Sequence, residues 1–224
     1  MSLVKEIQVK VIPSKIANDF VIKNHYSGKV VNNSQLHFGC FLGGALHGVM
    51  SFGPSINKKG TIRLVKDTKW NDFIELNRLA FDQFLPKYSE SRCISIAIKL
   101  IKKNAPHIKW IISFADGTQC GDGGIYRASG FSLVGIVKNT ALRLNPTTNK
   151  LIHVIQAHHL KIAKEFRTWK PCTGYQLKYI YLIDKKCIIN VPILPFSKIY
   201  EIGAGMYKGK KVSSQEERQT ARVV

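Results

Sequence analysis

Apolar and polar positions change period several times along this chain, and each change marks an element. Residues 7–13 alternate as a strand does and stop at Pro13. Ser14 then precedes a helical spacing through Ile16, Phe20 and Val21, where it is expected to cap a helix. That helix should run out at Asn24-His25-Tyr26-Ser27, with Gly28 as its stop. Residues 36–42 and 45–52 are apolar and rich in strand formers, and Gly43-Gly44 between them predicts a hairpin. Residues 61–66 and 73–81 read as further strands. Pro86 ends that segment, and Ser89 is expected to cap a long helix. Its apolar side carries Cys93, Ile94, Ala97, Ile98, Leu100 and Ile101, its polar side Arg92, Ser95, Lys99, Lys102 and Lys103. Pro106 closes it.

Residues 108–114 form an unbroken apolar run, as in a strand buried on both faces. A short helix is expected over 122–129, ending at Gly130. A strand from Phe131 to Val137 is continued by 141–144, and 176–184 is a last strand. The stretch 145–175 fits neither period. This order predicts an α/β (α+β) molecule with helices packed on a mixed central sheet. Its meander must be antiparallel, because the connections are too short for crossovers. Residues 1–184 are expected to form the main domain, and 185–224 a basic C-terminal extension whose end, from Gly209 on, is mobile.

Charge changes the picture. Among 224 residues, 34 are Lys or Arg and 14 Asp or Glu, a formal net charge of +20. The excess is spread over the chain, and such a field attracts nucleic acid, polyphosphates or anionic membrane. No apolar run is long enough to span a bilayer, and the first residues do not resemble a signal peptide, so a cytoplasmic protein without a membrane partner is expected. Five cysteines, widely spaced and without a CxxC pair, argue against a disulfide framework or a structural zinc site.

Chemistry-bearing residues gather at the joins between elements. Ser89, Ser91 and Arg92 open a helix directly after a strand, where free backbone N–H groups suit a pyrophosphate; on local pattern alone an ordinary capped helix is the better reading. Asp116 ends an otherwise apolar strand, placed to hold or deprotonate a substrate amine, or simply to make a turn with Gly117. Tyr126 lies on the short helix behind, as an acid for a leaving group or as a core residue. His25 and Tyr26 end the first helix, where the dipole also favours a plain surface histidine. Alternation puts Glu75 and Asn77 on one strand face and Arg78 on the other.

Together, Asn24-His25-Tyr26-Ser27, Glu75-Leu76-Asn77-Arg78, Glu90-Ser91, Ser113-Phe114-Ala115-Asp116, Gly124-Ile125-Tyr126-Arg127-Ala128 and Phe131 resemble the Mom-type DNA adenine modification proteins of bacteriophages, relatives of the GNAT acyltransferases. The resemblance runs from about Ile22 to Asp184 and is most specific between 72 and 131. It implies a GNAT-like fold, with addition of a methylcarbamoyl (acetamido-type) group to the exocyclic N6 amine of adenine in double-stranded DNA. It further implies protection of that DNA from restriction nucleases in a bacterial host cytoplasm. By motif, it marks His25, Tyr26, Arg78, Ser91, Asp116 and Tyr126 as functional, with Arg78 and Ser91, beside Ser89 and Arg92, toward the cofactor and His25, Tyr26, Asp116 and Tyr126 toward the chemistry. Acetyl-coenzyme A or a related donor, and iron, are the cofactors it implies; metal ligands and oligomeric state stay open, a dimer among the options. The family has a Gly-His pair where this chain has Gly121-Asp122. Two other classes fit the same residues: an N-acetyltransferase acting on a small-molecule or protein amine, and a basic DNA-binding module without chemistry.

Overall fold

The structure, a computed structural model, describes residues 3–217. After a 3-10 turn at Leu3–Glu6, strand β1 (Gln8–Val11) leads into helix α1 (Ser14–Asn24). Pro13 holds the N-cap position with φ −60° and no side-chain cap, so Ser14 is the first helical residue instead of the expected cap. Proline already has the φ that the entry needs. At the far end His25 N donates to Val21 O, and Gly28 takes φ +59°. Strands β2 (Leu36–Leu42) and β3 (Ala45–Gly53) form the expected hairpin. Gly43 and Gly44 both have positive φ, as a two-residue turn matched to strand twist demands.

The expected strand at 61–66 is absent. Helix α2 (Lys58–Thr61) and a 3-10 turn at Ile62–Leu64 stand there. The Asn57 side chain accepts from Gly60 N, so a local cap outweighs the β-branched run. Only Val65 keeps a strand-like bridge, to Ile189. Strand β4 (Phe73–Phe81), helix α3 (Ser89–Asn104), strand β5 (Trp110–Asp116), helix α4 (Gly124–Ala128) and strand β6 (Ser132–Leu144) follow as read from the sequence. The unreadable stretch contains β7 (Leu151–His153), α5 (Val154–His159) and α6 (Ala163–Thr168). Strand β8 (Lys170–Leu182) starts earlier than expected. Helix α7 (Lys198–Glu201) and a small hairpin, β9 (Met206–Tyr207) with β10 (Lys210–Lys211), complete the described chain. Positions 218–224 of the extension expected to be mobile lie outside the described residues. Among the described residues no helix is long and apolar enough to cross a membrane.

Eight strands hydrogen-bond in the order β1-β2-β3-β4-β5-β8-β6-β7. The meander β1 to β4 is antiparallel, and β4 pairs parallel with β5. The chain divides into two compact units. The first takes the chain to Phe114, then Gly124–Gly135 and Lys178–Leu194. The second takes Ala115–Gly123, Ile136–Leu177 and the chain from Pro195 on. In the second, Ile152, Ala157 and Phe166 pack into a small core that holds α5 and α6.

In the first unit, helices cover both faces of the meander. Val49 of β3 and Ala80 of β4 pack with Ile12, Ala17 and Val21, so α1 lies on their face. On the other face lie Phe38, Cys40, Met50 and Phe52, all buried. Cys40 hydrogen-bonds Cys93 of α3, and that contact, with burial, pushes the Cys40 thiol far up. A second core, Val65, Phe73, Trp110, Ile112, Val134 and Ile180, lies around β5, with Phe73 stacked on Trp110 at 4.4 Å.

Candidate active site

Register decides which β4 side chains meet. Ser51 pairs with Arg78 and Phe52 with Leu76, so Asn77 is an extra residue, a β-bulge. Ser51 and Phe52 are neighbours on β3 and point to opposite faces, so Arg78 and Leu76 do too. Glu75, opposite Gly53, therefore shares the face of Arg78. Plain alternation separates Glu75 from Arg78; the bulge brings them together, and the expectation is corrected. Along that face β4 presents Phe73 to one core, then Glu75 and Arg78, then Ala80 to the core under α1. The polar residues sit in a gap between two apolar clusters.

Arg78 is half-buried, and its Nε donates to Lys29 O and its Nη1 to Asn77 O, both at 2.8 Å. Burial lowers its pKa, while Tyr26, Glu75 and Tyr126 act to hold the charge. Burial pushes the Glu75 carboxyl up, against Ser55, Asn77 and Arg78, which pull it back. Burial and Arg78 both pull the Lys29 ammonium down.

His25 is held to about 4, first by burial and second by the Arg78 charge. It is therefore neutral near pH 7. Ser27 N donates to its Nδ1 at 3.2 Å, and Ser27 Oγ lies 2.8 Å from the same atom. An Nδ1 that accepts leaves the ring hydrogen on Nε2, so the outer edge of His25 is a donor. The ring of Tyr26, half exposed, lies 4.3 Å from the imidazole. Tyr126 is buried against Phe131 and Tyr179, with ring centroids 5.5 and 5.3 Å away.

The start of α3 differs in detail from its expected form. Tyr88, not Ser89, is the N-cap, at φ +73° and without a side-chain cap. Ser89 Oγ donates to Pro86 O and Ser91 Oγ to Tyr88 O, so both hydroxyls are turned to the preceding loop. Arg92 Nη2 donates to Lys5 O, while its buried Nε makes no hydrogen bond. A helix start without a side-chain cap, with a guanidinium in its first turn, fits an anionic group. The β4–β5 ladder stops at Leu76↔Ser113 although both strands continue.

Asp116 belongs to the second unit. Its Oδ1 accepts from Thr118 N and Gln119 N, and its Oδ2 from Gln119 Nε2. Asp122, in the same unit, is fully buried; it accepts from Met206 N, and its own N–H donates to Met206 O. At the position of the family's histidine this chain thus has a structural clasp. Among the described residues no group of three or more His, Cys, Asp or Glu could hold a metal ion, so the side chains present do not fit the expected iron.

Four residues of this face escaped the sequence reading. His37 pairs with Ser51, its Nδ1 2.9 Å from the hydroxyl, and its buried Nε2 makes no hydrogen bond. Ser34 Oγ donates to Asn77 Oδ1 at 3.1 Å, and Ser55 supports Glu75. Hairpin spacing from Gly43-Gly44 pairs His37 with Met50; an extra residue at His47 moves it to Ser51.

Against known proteins, the model of the Mom protein family matches residues 6–198. Methylcarbamoylase mom of Escherichia phage Mu is 39% identical over 142 residues, 63% of this chain. That match spans 58% of the relative's own length. Among solved structures, a GNAT family acetyltransferase from Elizabethkingia anophelis with acetyl-CoA bound is 12% identical at a TM-score of 0.48, covering 79% of this chain and 98% of its own. The spermidine/spermine N-acetyltransferase SpeG from Vibrio cholerae is 10% identical at 0.47, covering 83% and 97%.

Proposed function

The chain belongs to the Mom protein family, and from that membership we propose that it is a DNA-modifying transferase. It adds a methylcarbamoyl, acetamido-type group to the N6 amine of adenine in double-stranded DNA, which shields that DNA from restriction. The observation that carries this reading is the bulge at Asn77, which gathers Glu75 and Arg78 on one face within electrostatic reach of His25, Tyr26 and Tyr126. The net charge of +20 favours a polyanionic substrate.

The adenine amine is paired inside the duplex, so the base must be turned out before it can react. The half-exposed ring of Tyr26 offers the extruded purine a stacking platform. His25, neutral with hydrogen on Nε2, donates to a ring nitrogen of the base and orients it. It acts as a positioning group and not as the proton acceptor, because a base of pKa about 4 accepts poorly at pH 7. The Arg78 guanidinium stabilises negative charge that develops on the transferring group. Tyr126 supplies a proton to the departing group. A coenzyme A thioester whose acyl group already carries the methylcarbamoyl nitrogen, held by the first turn of α3 with Arg92, would supply an activated carbonyl and a thiolate leaving group, so that the N6–C bond forms as the C–S bond breaks and the proton given up by N6 passes to water. Asp116 is assigned to the amine side of the reaction, as its motif implies.

The test is a nucleoside mass spectrum of DNA from cells expressing the full chain, beside Arg78→Ala and Asp116→Ala. A new deoxyadenosine adduct is expected with the wild type and is lost or reduced at least tenfold, or about 1.4 kcal/mol of barrier, in both variants. Wild-type DNA without any adduct overturns the reading. An N-acetyltransferase of small amines would give that result and would show no salt-dependent affinity for DNA.

A further inference from the structure

Between β3 and β4 the chain leaves the sheet at Gly53 and returns at Phe73. This excursion carries Lys58, Lys59, Arg63, Lys66 and Lys69 against only Asp67 and Asp72. Asp72 is already neutralised, since its Oδ2 accepts from Lys109 Nζ at 2.9 Å and from Lys69 N at 3.1 Å. Lys59, Arg63, Lys66 and Lys69 are exposed. So is Trp70, 52% accessible, in a molecule whose other two tryptophans are less so. Exposed Asp67 leaves the charge around Trp70 predominantly positive, and large aromatic surface left in water among such charge marks an interaction face.

The face is ordered and tied to the site. Lys58 Nζ sits 4.6 Å over the Trp70 ring and donates to Asn71 Oδ1 at 3.2 Å, which fixes the indole. Asn57 caps α2, and Asn33 Nδ2 donates to Pro54 O at 2.9 Å. Buried Ser55 lies 3.2 Å from Thr61 Oγ1 and hydrogen-bonds toward the Glu75 carboxyl. The excursion therefore begins beside the residues that surround Arg78.

We propose that the β3–β4 connection is the surface that grips duplex DNA: Lys59, Arg63, Lys66 and Lys69 contact phosphates, and Trp70 packs against bases next to the extruded adenine. The inference rests on DNA being the substrate. Exposed cations release counterions from phosphates, and an aromatic face among them accepts any base. A protein partner is the poorer fit, because the centre of such an interface is depleted of charge.

Fluorescence anisotropy of a labelled adenine-containing duplex, titrated with the full chain at several salt concentrations, tests it. For the wild type, log affinity falls linearly with log salt. Combining Lys59→Ala, Arg63→Ala, Lys66→Ala and Lys69→Ala should make that slope shallower by about 3 to 4, at ~0.9 for each phosphate no longer neutralised. The same charge removed elsewhere, by Lys23→Ala, Lys99→Ala, Lys102→Ala and Lys103→Ala, should change it by less than about 1. Trp70→Ala should weaken binding about tenfold without changing the slope. Thermal melts of each variant establish that it folds. Equal slope changes in the two quadruple variants, or wild-type binding by the connection variant, overturn the surface even if the adduct forms in cells. Connection-dependent binding without an adduct overturns the proposed reaction and leaves the surface standing.

Discussion

His25 shows how residue-scale forces oppose one another. Its place at the end of α1 favours an imidazolium, through the helix dipole. Burial and the Arg78 charge favour the neutral ring and hold the pKa to about 4, and they prevail. The folded value thus lies below the unfolded one of 6.5. Above pH 6.5 neither state binds the proton and this group contributes no slope. Between 6.5 and 4 only the unfolded chain binds it, so stability falls as pH falls; below about 4 the loss is complete. At ~1.36 kcal/mol per pH unit the ceiling is about 3 kcal/mol. His25→Gln removes this component. Urea denaturation of the variant should therefore lose on the order of 2 kcal/mol less than the wild type between about pH 7 and pH 4.5. Parallel losses in the two proteins would show that His25 is protonated in the fold. The same neutrality predicts that turnover shows no histidine step near pH 6.5.

At the scale of elements, the entry to α3 holds a residue in a strained backbone conformation. Tyr88 sits there at φ +73° with 73% of its surface exposed. A left-handed conformation costs a non-glycine residue roughly 1–2 kcal/mol, and so little burial would be lost on truncation. Tyr88→Gly should raise the melting temperature by about 2–4 °C, as ~1 kcal/mol does for a domain of this size. A drop, read by calorimetry, would mean that the tyrosine ring supports the loop before the helix. Sequence pattern revealed α3, β5 and the β2–β3 hairpin because each is long enough to show its period, with glycine or proline at its ends. It did not reveal the bulges. FIELNRLAF breaks its alternation at Asn77-Arg78, two polar residues in succession, but that break alone does not say that one residue is extra; only the pairing with Ser51 and Phe52 shows it. That one offset moves Arg78 to the face of Glu75 and creates the candidate site. The extra residue at His47 likewise hides the His37–Ser51 pair. Helices α5 and α6, six residues each, are too short for a helical period to emerge. The strand expected at 61–66 failed for the opposite reason, because a strong β-branched signal met an asparagine cap three residues upstream of Gly60.

At the scale of the whole molecule, a net charge of +20 works against folding, since like charges repel more in the compact state. Added salt screens that repulsion, with a Debye length that shrinks from ~30 Å at about 0.01 M to ~8 Å at about 0.15 M. The protein alone should therefore melt at higher temperature as salt rises over that range. A duplex that binds only the folded chain should stabilise it further, by about 2.7 kcal/mol at a hundredfold excess over Kd, or roughly 5–10 °C here. That second gain has the opposite salt dependence, because salt displaces the protein from phosphates. Scanning fluorimetry with and without duplex should thus give two curves that converge as salt increases. A duplex that adds nothing at low salt would show that the charge does not serve DNA binding. Composition alone announced the charge, and it could not say where the charge acts. The exposed cations around Trp70 give it a location, so the convergence should vanish when Lys59, Arg63, Lys66 and Lys69 are replaced together, while the salt response of the protein alone remains in weakened form.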